Sequence, residues 1–159
     1  MTIVKSHRFP VSVRWIEGRL TELTAAGKPD LAVATPPGFK GGIEGVWSPE
    51  DLFVGSLASC YAVTLVAVAE RDGITFDALE VDGVGHVERM ADGRFGFISI
   101  ELQARVEVAA ERVEATELAA VRAKDLCLVS IALDAPVRLE VDIVHTPAPS
   151  LLEVSPASR

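Results

Sequence analysis

Apolar and polar positions alternate along this chain with a period that changes several times. Phe9, Val11, Val13 and Trp15 are separated by Pro10, Ser12 and Arg14, a period of two that predicts a strand with one buried face. Shorter strands are expected over residues 19–24 and 31–35, set apart by Gly27, Pro29 and Asp30. Pro36 to Val46 holds four glycines and two prolines. That composition suits a surface loop able to approach a ligand closely, and equally a plain connector. The next start is well marked. Ser48 is a candidate N-cap, Pro49 fits the first helical position, and Asp51 completes an S-x-x-D capping box with Glu50 at the positive end of the dipole. A helix is expected over residues 49–71, with Asp72-Gly73 as its stop.

The period then returns to two. Residues 76–90 and the run from Ile98 to Val108 form the arms of a hairpin around Ala91-Asp92-Gly93-Arg94. Ile98, Ile100, Leu102, Ala104, Val106 and Val108 alternate with Ser99, Glu101, Gln103, Arg105 and Glu107, so one face is wet and the other buried, as in an antiparallel sheet covered on one side by helices. Gly83 and Gly85 interrupt the first arm and suggest a bulge or bend. With no helix after them they are no nucleotide loop. Residues 111–126 read as a helix, followed by a further turn or two from Cys127, and Val137 to Ile143 as a last strand. From His145 onward the chain carries Pro147, Pro149 and Pro156 and no period, and is expected to be loosely ordered or draped over a neighbour. This order of elements predicts an α+β fold, antiparallel sheets around a long buried central helix. One domain is expected over residues 1–145, with a proline-rich tail over 146–159.

Composition narrows the function. With 159 residues, 49% of them apolar, the chain can build a core without disulfide or metal staples. A net charge of −8 gives no footprint for nucleic acid or an anionic membrane. The uncharged run from Leu52 to Ala69 is eighteen residues, the lower edge of a membrane span. It contains Gly55, Ser56, Ser59 and Thr64 and is flanked by acidic residues on both sides, which favours a buried helix of a soluble protein. The start, MTIVKSHRFP, has no apolar run of a secretory signal, so a cytoplasmic, thiol-reducing setting is expected. His7, His86 and His145 lack ligand spacing, so no metal is expected.

Two cysteines, Cys60 and Cys127, lie 67 positions apart, too few for a disulfide framework. They are either small core residues or a peroxidatic and resolving pair brought together by the fold. The second reading needs a thiolate at neutral pH, and so a nearby cation or helix terminus. Spacing alone leaves both open. Phe39 and Trp47 flank the glycine-rich loop and are candidates to line an apolar substrate pocket, whereas Trp15 and Phe53 are expected in the core.

The run SPEDLFVGSLASCYAVTL, Ser48 to Leu65, resembles the first cysteine motif of the OsmC/Ohr family, in which N-P-E-x-L opens the central helix and [SA]-C follows. Cys127-Leu-Val-Ser-Ile-Ala132 resembles the family's second motif, C-P-[VIY]-S-x-A, and Gly18-Arg19 its early G-R pair. The context of Cys60 is closer to the OsmC branch than to Ohr. The resemblance covers roughly residues 8–145. It implies a thiol-dependent reductase of organic hydroperoxides, and of hydrogen peroxide as a further substrate. Cys60 would be the peroxidatic thiol, Cys127 the resolving one, Arg19 the stabiliser of the thiolate, and Glu50 the holder of Arg19. It also implies no metal or haem, an external dithiol such as a lipoyl group as reductant, and an intertwined homodimer. Leu128 stands where the motif has proline, and Ser48 where it has asparagine. The Leu128 departure keeps a second reading open, a stress or redox-sensing protein whose cysteines oxidise without turnover. One continuous helix would set Glu50 and Cys60 about 15 Å apart along its axis, too far for one arginine to touch both. Either the helix breaks near Gly55-Ser56 or a second subunit completes the site.

Overall fold

The computed structural model describes residues 6–146, which divide into two compact units between Phe53 and Val54. The sequence suggested one domain over 1–145; each unit is described in turn.

The first unit is an antiparallel meander of β1 (Ser12–Glu17), β2 (Leu20–Thr24) and β3 (Leu31–Ala34), in that order across the sheet. Gly18 turns the chain from β1 to β2 with φ +49°, which places Arg19 at the start of the returning strand. The alternation expected of β1 is there, but its apolar face is open. Phe9, Val11 and Val13 are exposed, and Trp15, expected in the core, is 68% exposed. A three-stranded sheet buries a face only against another layer, and the single chain leaves this one uncovered. Trp47 pairs with Val33 through an isolated parallel bridge, its carbonyl accepting from the Ala34 N–H at 2.8 Å.

Helix α1 (Pro49–Arg71) opens with the expected capping box. The Ser48 hydroxyl accepts from the Asp51 N–H at 3.1 Å, and the Asp51 carboxylate accepts from the Ser48 N–H and hydroxyl, each at 2.8 Å. Ser48 is buried, so these partners cannot be replaced by water. Ser48→Ala is expected to cost about 1 kcal/mol of stability, measured as a lower urea midpoint at unchanged slope.

The helix runs without interruption through Gly55 and Ser56, which removes the expected break as an explanation for the Glu50–Cys60 separation. By length and composition it is apolar enough to cross a membrane. Within the second unit, however, Leu57, Tyr61, Leu65, Val68 and Ala69 form a buried stripe at helical spacing, the mark of a core helix. It ends in a Schellman turn, with Gly73 at φ +68° and the Ile74 N–H donating to the Ala69 carbonyl at 2.8 Å.

The second unit is a sheet of order β4 (Ala78–Arg89), β5 (Phe95–Ala109), β6 (Val137–Thr146). Ile100, Leu102, Ala104, Val106 and Val108 of β5 are buried and the residues between them face outward, as the alternation required, but Ile98, expected on the same face, is 40% exposed near the hairpin end of the strand. The sheets are not wholly antiparallel, because β5 and β6 pair in parallel. The reason is the connection. After β5 the chain passes through a 3-10 turn (Ala110–Arg112), α2 (Val113–Leu126) and α3 (Leu128–Ile131), a helical crossover that returns it to the end where β5 began. His145 and Thr146 belong to β6 rather than to a tail, pairing with Val108 and Ala109; the expected tail beyond them lies outside the described residues.

Gly83 and Gly85 do more than bend β4. Both sit in regular register with β5, and the irregularity falls one step later, between His86 and Val87. Their missing Cβ atoms admit α1. A Cβ on Gly85 would lie 2.6 Å from Cε1 of Phe97 and 2.7 Å from Cγ2 of Val54, and one on Gly83 would lie 2.8 Å from Cγ1 of Val54. Gly85→Ala is therefore expected to destabilise by about 1–3 kcal/mol through overpacking. Val54→Ala in the same chain should recover part of that loss, which a double-mutant cycle in denaturant would read.

Candidate active site

Both cysteines belong to the second unit, and the fold brings them together. Cys60 lies on α1, four residues before Thr64. Cys127 is the junction of α2 and α3, with φ −67° and ψ 111°, an extended residue between two helical ones. It ends one helix and precedes the next, so its own N–H donates to Lys124 (3.4 Å) and its carbonyl accepts from Ile131 (3.0 Å). Amides at the start of a helix have no partner within it. Here those of Val129 and Leu128 favour the ionised form of Cys60, and those of Ser130 and Val129 favour that of Cys127. Each thiol also shifts the ionisation of the other, and both are unbridged.

These surroundings separate the two thiols. Burial pushes the Cys60 thiol up, but donation from Val129, Cys127, Thr64 and Leu128 outweighs it, so Cys60 ionises below the ordinary thiol value. Cys127 is fully buried and is pushed the other way, first by burial and then by its bond to Cys60 and the charge that Cys60 carries. Of the two, Cys60 is therefore the more readily ionised thiol and Cys127 the one that holds its proton. The Thr64 hydroxyl lies against both the Cys60 carbonyl (2.7 Å) and its sulfur, and its single proton serves one of them at a time. Tyr61, next to Cys60, is buried with its hydroxyl donating to the Ala120 carbonyl at 3.4 Å. Burial and the neighbouring Cys127 push its pKa up to about 12, so it stays a neutral phenol.

The other expected site residues belong to the first unit. Arg19 is exposed, and the glycine-rich loop closes over its stem: a Cβ on Gly41, where φ is +79°, would be 3.1 Å from Cγ of Arg19. Glu50 is in the first turn of α1, with its Oε2 buried and without a hydrogen-bond partner. Among the described residues no ion pair joins Arg19 to Glu50. Phe39 is exposed in the turn after Pro36. Trp47 is 55% exposed and lines a shallow depression with Gly45, Val46 and Asp51. Thr64 and the amides of Leu128 and Val129 were missed by sequence reasoning. The i, i+4 spacing from Cys60 pointed to Thr64; nothing in the side-chain pattern marks a backbone donor.

The profile of the OsmC-like protein family matches residues 42–142, well over half the chain and including both cysteines. The protein YmaD of Bacillus subtilis (strain 168) is 25% identical over 141 residues, covering 86% of this chain and 93% of that one. An OsmC-like protein of Vibrio cholerae superposes with a TM-score of 0.78 at 16% identity, covering 86% of this chain and 99% of that one. An organic hydroperoxide resistance protein of Elizabethkingia anophelis gives 0.72 at 19% identity, covering 89% and 99%. At these identities the superpositions speak for the fold, which is the one that the order of strands and helices builds. With the profile spanning both thiols and the fold shared, the chain belongs to the OsmC-like family.

Proposed function

We propose that the protein is a thiol-dependent hydroperoxide reductase, with Cys60 as nucleophile and Cys127 as resolving thiol. The observation that carries this is the mutual influence of the two thiols, which moves Cys60 toward the anion and Cys127 away from it. The Cys60 thiolate attacks the terminal oxygen of ROOH, the O–O bond breaks, and the alkoxide leaves and takes a proton as ROH. Cys60 becomes a sulfenic acid. Cys127 then attacks that sulfur and expels water, which leaves a Cys60–Cys127 disulfide. An external dithiol, a lipoyl group being the expected kind, reduces it and is itself oxidised to a disulfide. No step calls for a metal or haem. The similarity to a hydroperoxide resistance protein supports an organic hydroperoxide as substrate, with hydrogen peroxide as a second. Phe39 and Trp47 are proposed to line the approach of its organic part, and a cytoplasmic setting keeps the thiols reduced.

The working unit is proposed to be a homodimer in which Arg19 and Glu50 of one subunit complete the thiol site of the other. Two features support it. The apolar face of β1 is uncovered in the single chain, and Oε2 of Glu50 is buried without a partner, a costly state that a cation would relieve. There, Arg19 would stabilise the charge developing on the peroxide oxygen.

The test is steady-state consumption of cumene hydroperoxide and of hydrogen peroxide with dihydrolipoate as donor. Donor-dependent turnover with either peroxide supports the reading. Oxidation of one equivalent followed by arrest would overturn it in favour of redox sensing.

A further inference from the structure

We propose that the ion pair between Asp72 and Arg122 is a strut that positions the resolving thiol, holding the helix that ends at Cys127 in place against the helix that carries Cys60. The inference rests on the proposed pairing of Cys60 with Cys127 and deepens it, since it names positioning residues outside the thiol site. The Arg122 guanidinium forks onto the Asp72 carboxylate, Nη1 donating to Oδ2 at 2.7 Å and Nη2 to Oδ1 at 3.4 Å. Arg122 lies on α2, five residues before Cys127, and Asp72 directly follows the last residue of α1. A second tie joins the same two helices, from the hydroxyl of Tyr61, the neighbour of Cys60, to the Ala120 carbonyl at 3.4 Å. The ties leave α1 eleven residues apart, about 16 Å along the helix axis, and reach α2 only two residues apart. Attachment at two such separated points keeps α2 from pivoting about either one.

The packing of α2 shows why polar ties matter there. Its buried residues are Thr116, Ala119, Ala120 and Ala123, and Cys127 continues that stripe at helical spacing. Side chains this small make low ridges, so they key a helix weakly against its neighbours. Cys127 terminates α2, and any swing of the helix passes to its sulfur. A disulfide is demanding of position, with Cβ atoms about 3.8 Å apart and a dihedral near 90°. A shift of about 1 Å in a reacting group can cost about a hundredfold in rate. Both partners of the ion pair reach solvent, with side chains 26% exposed at Asp72 and 45% at Arg122, so either can be replaced without opening the core. The Asp72 carboxylate also lies 3.5 Å from Nε of Arg71, but that contact joins two neighbours in sequence and holds nothing on α2.

The experiment equilibrates the protein with oxidised and reduced dithiothreitol and reads the Cys60–Cys127 disulfide by the mass added when free thiols are alkylated. The two cysteines give two electrons and two protons to the oxidised reagent, which becomes the dithiol. The constant compares two folded states, so a substitution that merely weakens both equally leaves it unchanged. R122A and D72A are each expected to lower it about threefold, within what a half-exposed pair contributes. The double variant D72A/R122A is expected to fall no further, because both changes remove one interaction. An unchanged constant in R122A, or losses that multiply in the double variant, would overturn the proposal. The wild-type protein provides an arm that needs no variant to fold. Raising the salt to about 1 M shortens the Debye length to about 3 Å, and the constant is expected to fall toward that of R122A. A wild-type constant indifferent to salt would overturn the proposal. No peroxide takes part in this equilibrium. A protein without peroxide turnover but with a lowered R122A constant would keep this inference and sink the proposed reaction. Donor-dependent turnover with equal constants in R122A and wild type would do the opposite.

Discussion

Cys60→Ser is expected to consume cumene hydroperoxide no faster than the dithiol donor alone, while Cys127→Ser keeps a first, stoichiometric reduction. The asymmetry follows from the surroundings of the two sulfurs. Two amides, a hydroxyl and a thiol together outweigh burial and lower the pKa of Cys60. Cys127 is buried and is that thiol. Only a thiolate attacks the O–O bond effectively, so losing Cys60 removes the reaction and losing Cys127 removes its second half. In Cys127→Ser the sulfenic acid cannot condense internally and should be labelled on Cys60 by dimedone. The sign of the pH dependence is set by the same contacts. A thiol whose pKa is lowered is charged above that pKa, so the rate of the first reduction should be full at high pH. It should fall as pH drops through a midpoint lying below the ordinary thiol value. Stopped-flow single turnovers across pH read this directly. Equal rates in wild type and both variants, or loss of the first reduction on removing Cys127 alone, would count against the assignment.

Where local chemistry decides the structure, the residues announced it. Ser48, Pro49 and Asp51 set the start of α1 by hydrogen bonds within four residues, and Asp72-Gly73 set its end. The buried and wet faces of β5 follow from strict alternation between apolar and polar side chains. Other features depend on what lies opposite in space, and no local pattern carries that. The glycines of β4 read as a bulge because a strand glycine has several uses, and only the position of Val54 shows that they clear a path for α1. The parallel β5–β6 pair is a matter of connection, which the alternation of β6 does not reveal. The open apolar face of β1 has the pattern of a buried face, and alternation by itself does not say what covers it.

The candidate site divides along the same line. The cysteines were visible as residues, and their pairing was not, because 67 positions of chain separate them. The donors that tune Cys60 were hidden more deeply. Two of them are peptide amides, present at nearly every position, and they become specific only through the turn that Cys127 makes between α2 and α3.

The proposed division of the site between two subunits predicts that two dead variants will rescue each other. Arg19→Ala and Cys60→Ser are each expected to be inactive alone, the first for want of the guanidinium and the second for want of the nucleophile. Unfolding and refolding an equimolar mixture should make heterodimers half of the population. In such a dimer the intact Cys60 of one chain meets the intact Arg19 of the other at one site, while the second site lacks both. One live site in half of the dimers restores about a quarter of wild-type turnover in the mixture. If Arg19 instead serves the thiol of its own chain, no combination of the two contains a complete site, and the mixture stays dead. The rescue also requires that the subunits exchange on refolding, which sedimentation or light scattering of the wild type would establish as a dimer. Replacing Trp15, 68% exposed on the open face of β1, by glutamate places a charge where the second subunit would bury it. That variant should shift the protein toward monomer and lower turnover together with the dimer population. A monomer that keeps full activity would remove the shared site, even if both cysteines keep the roles assigned to them.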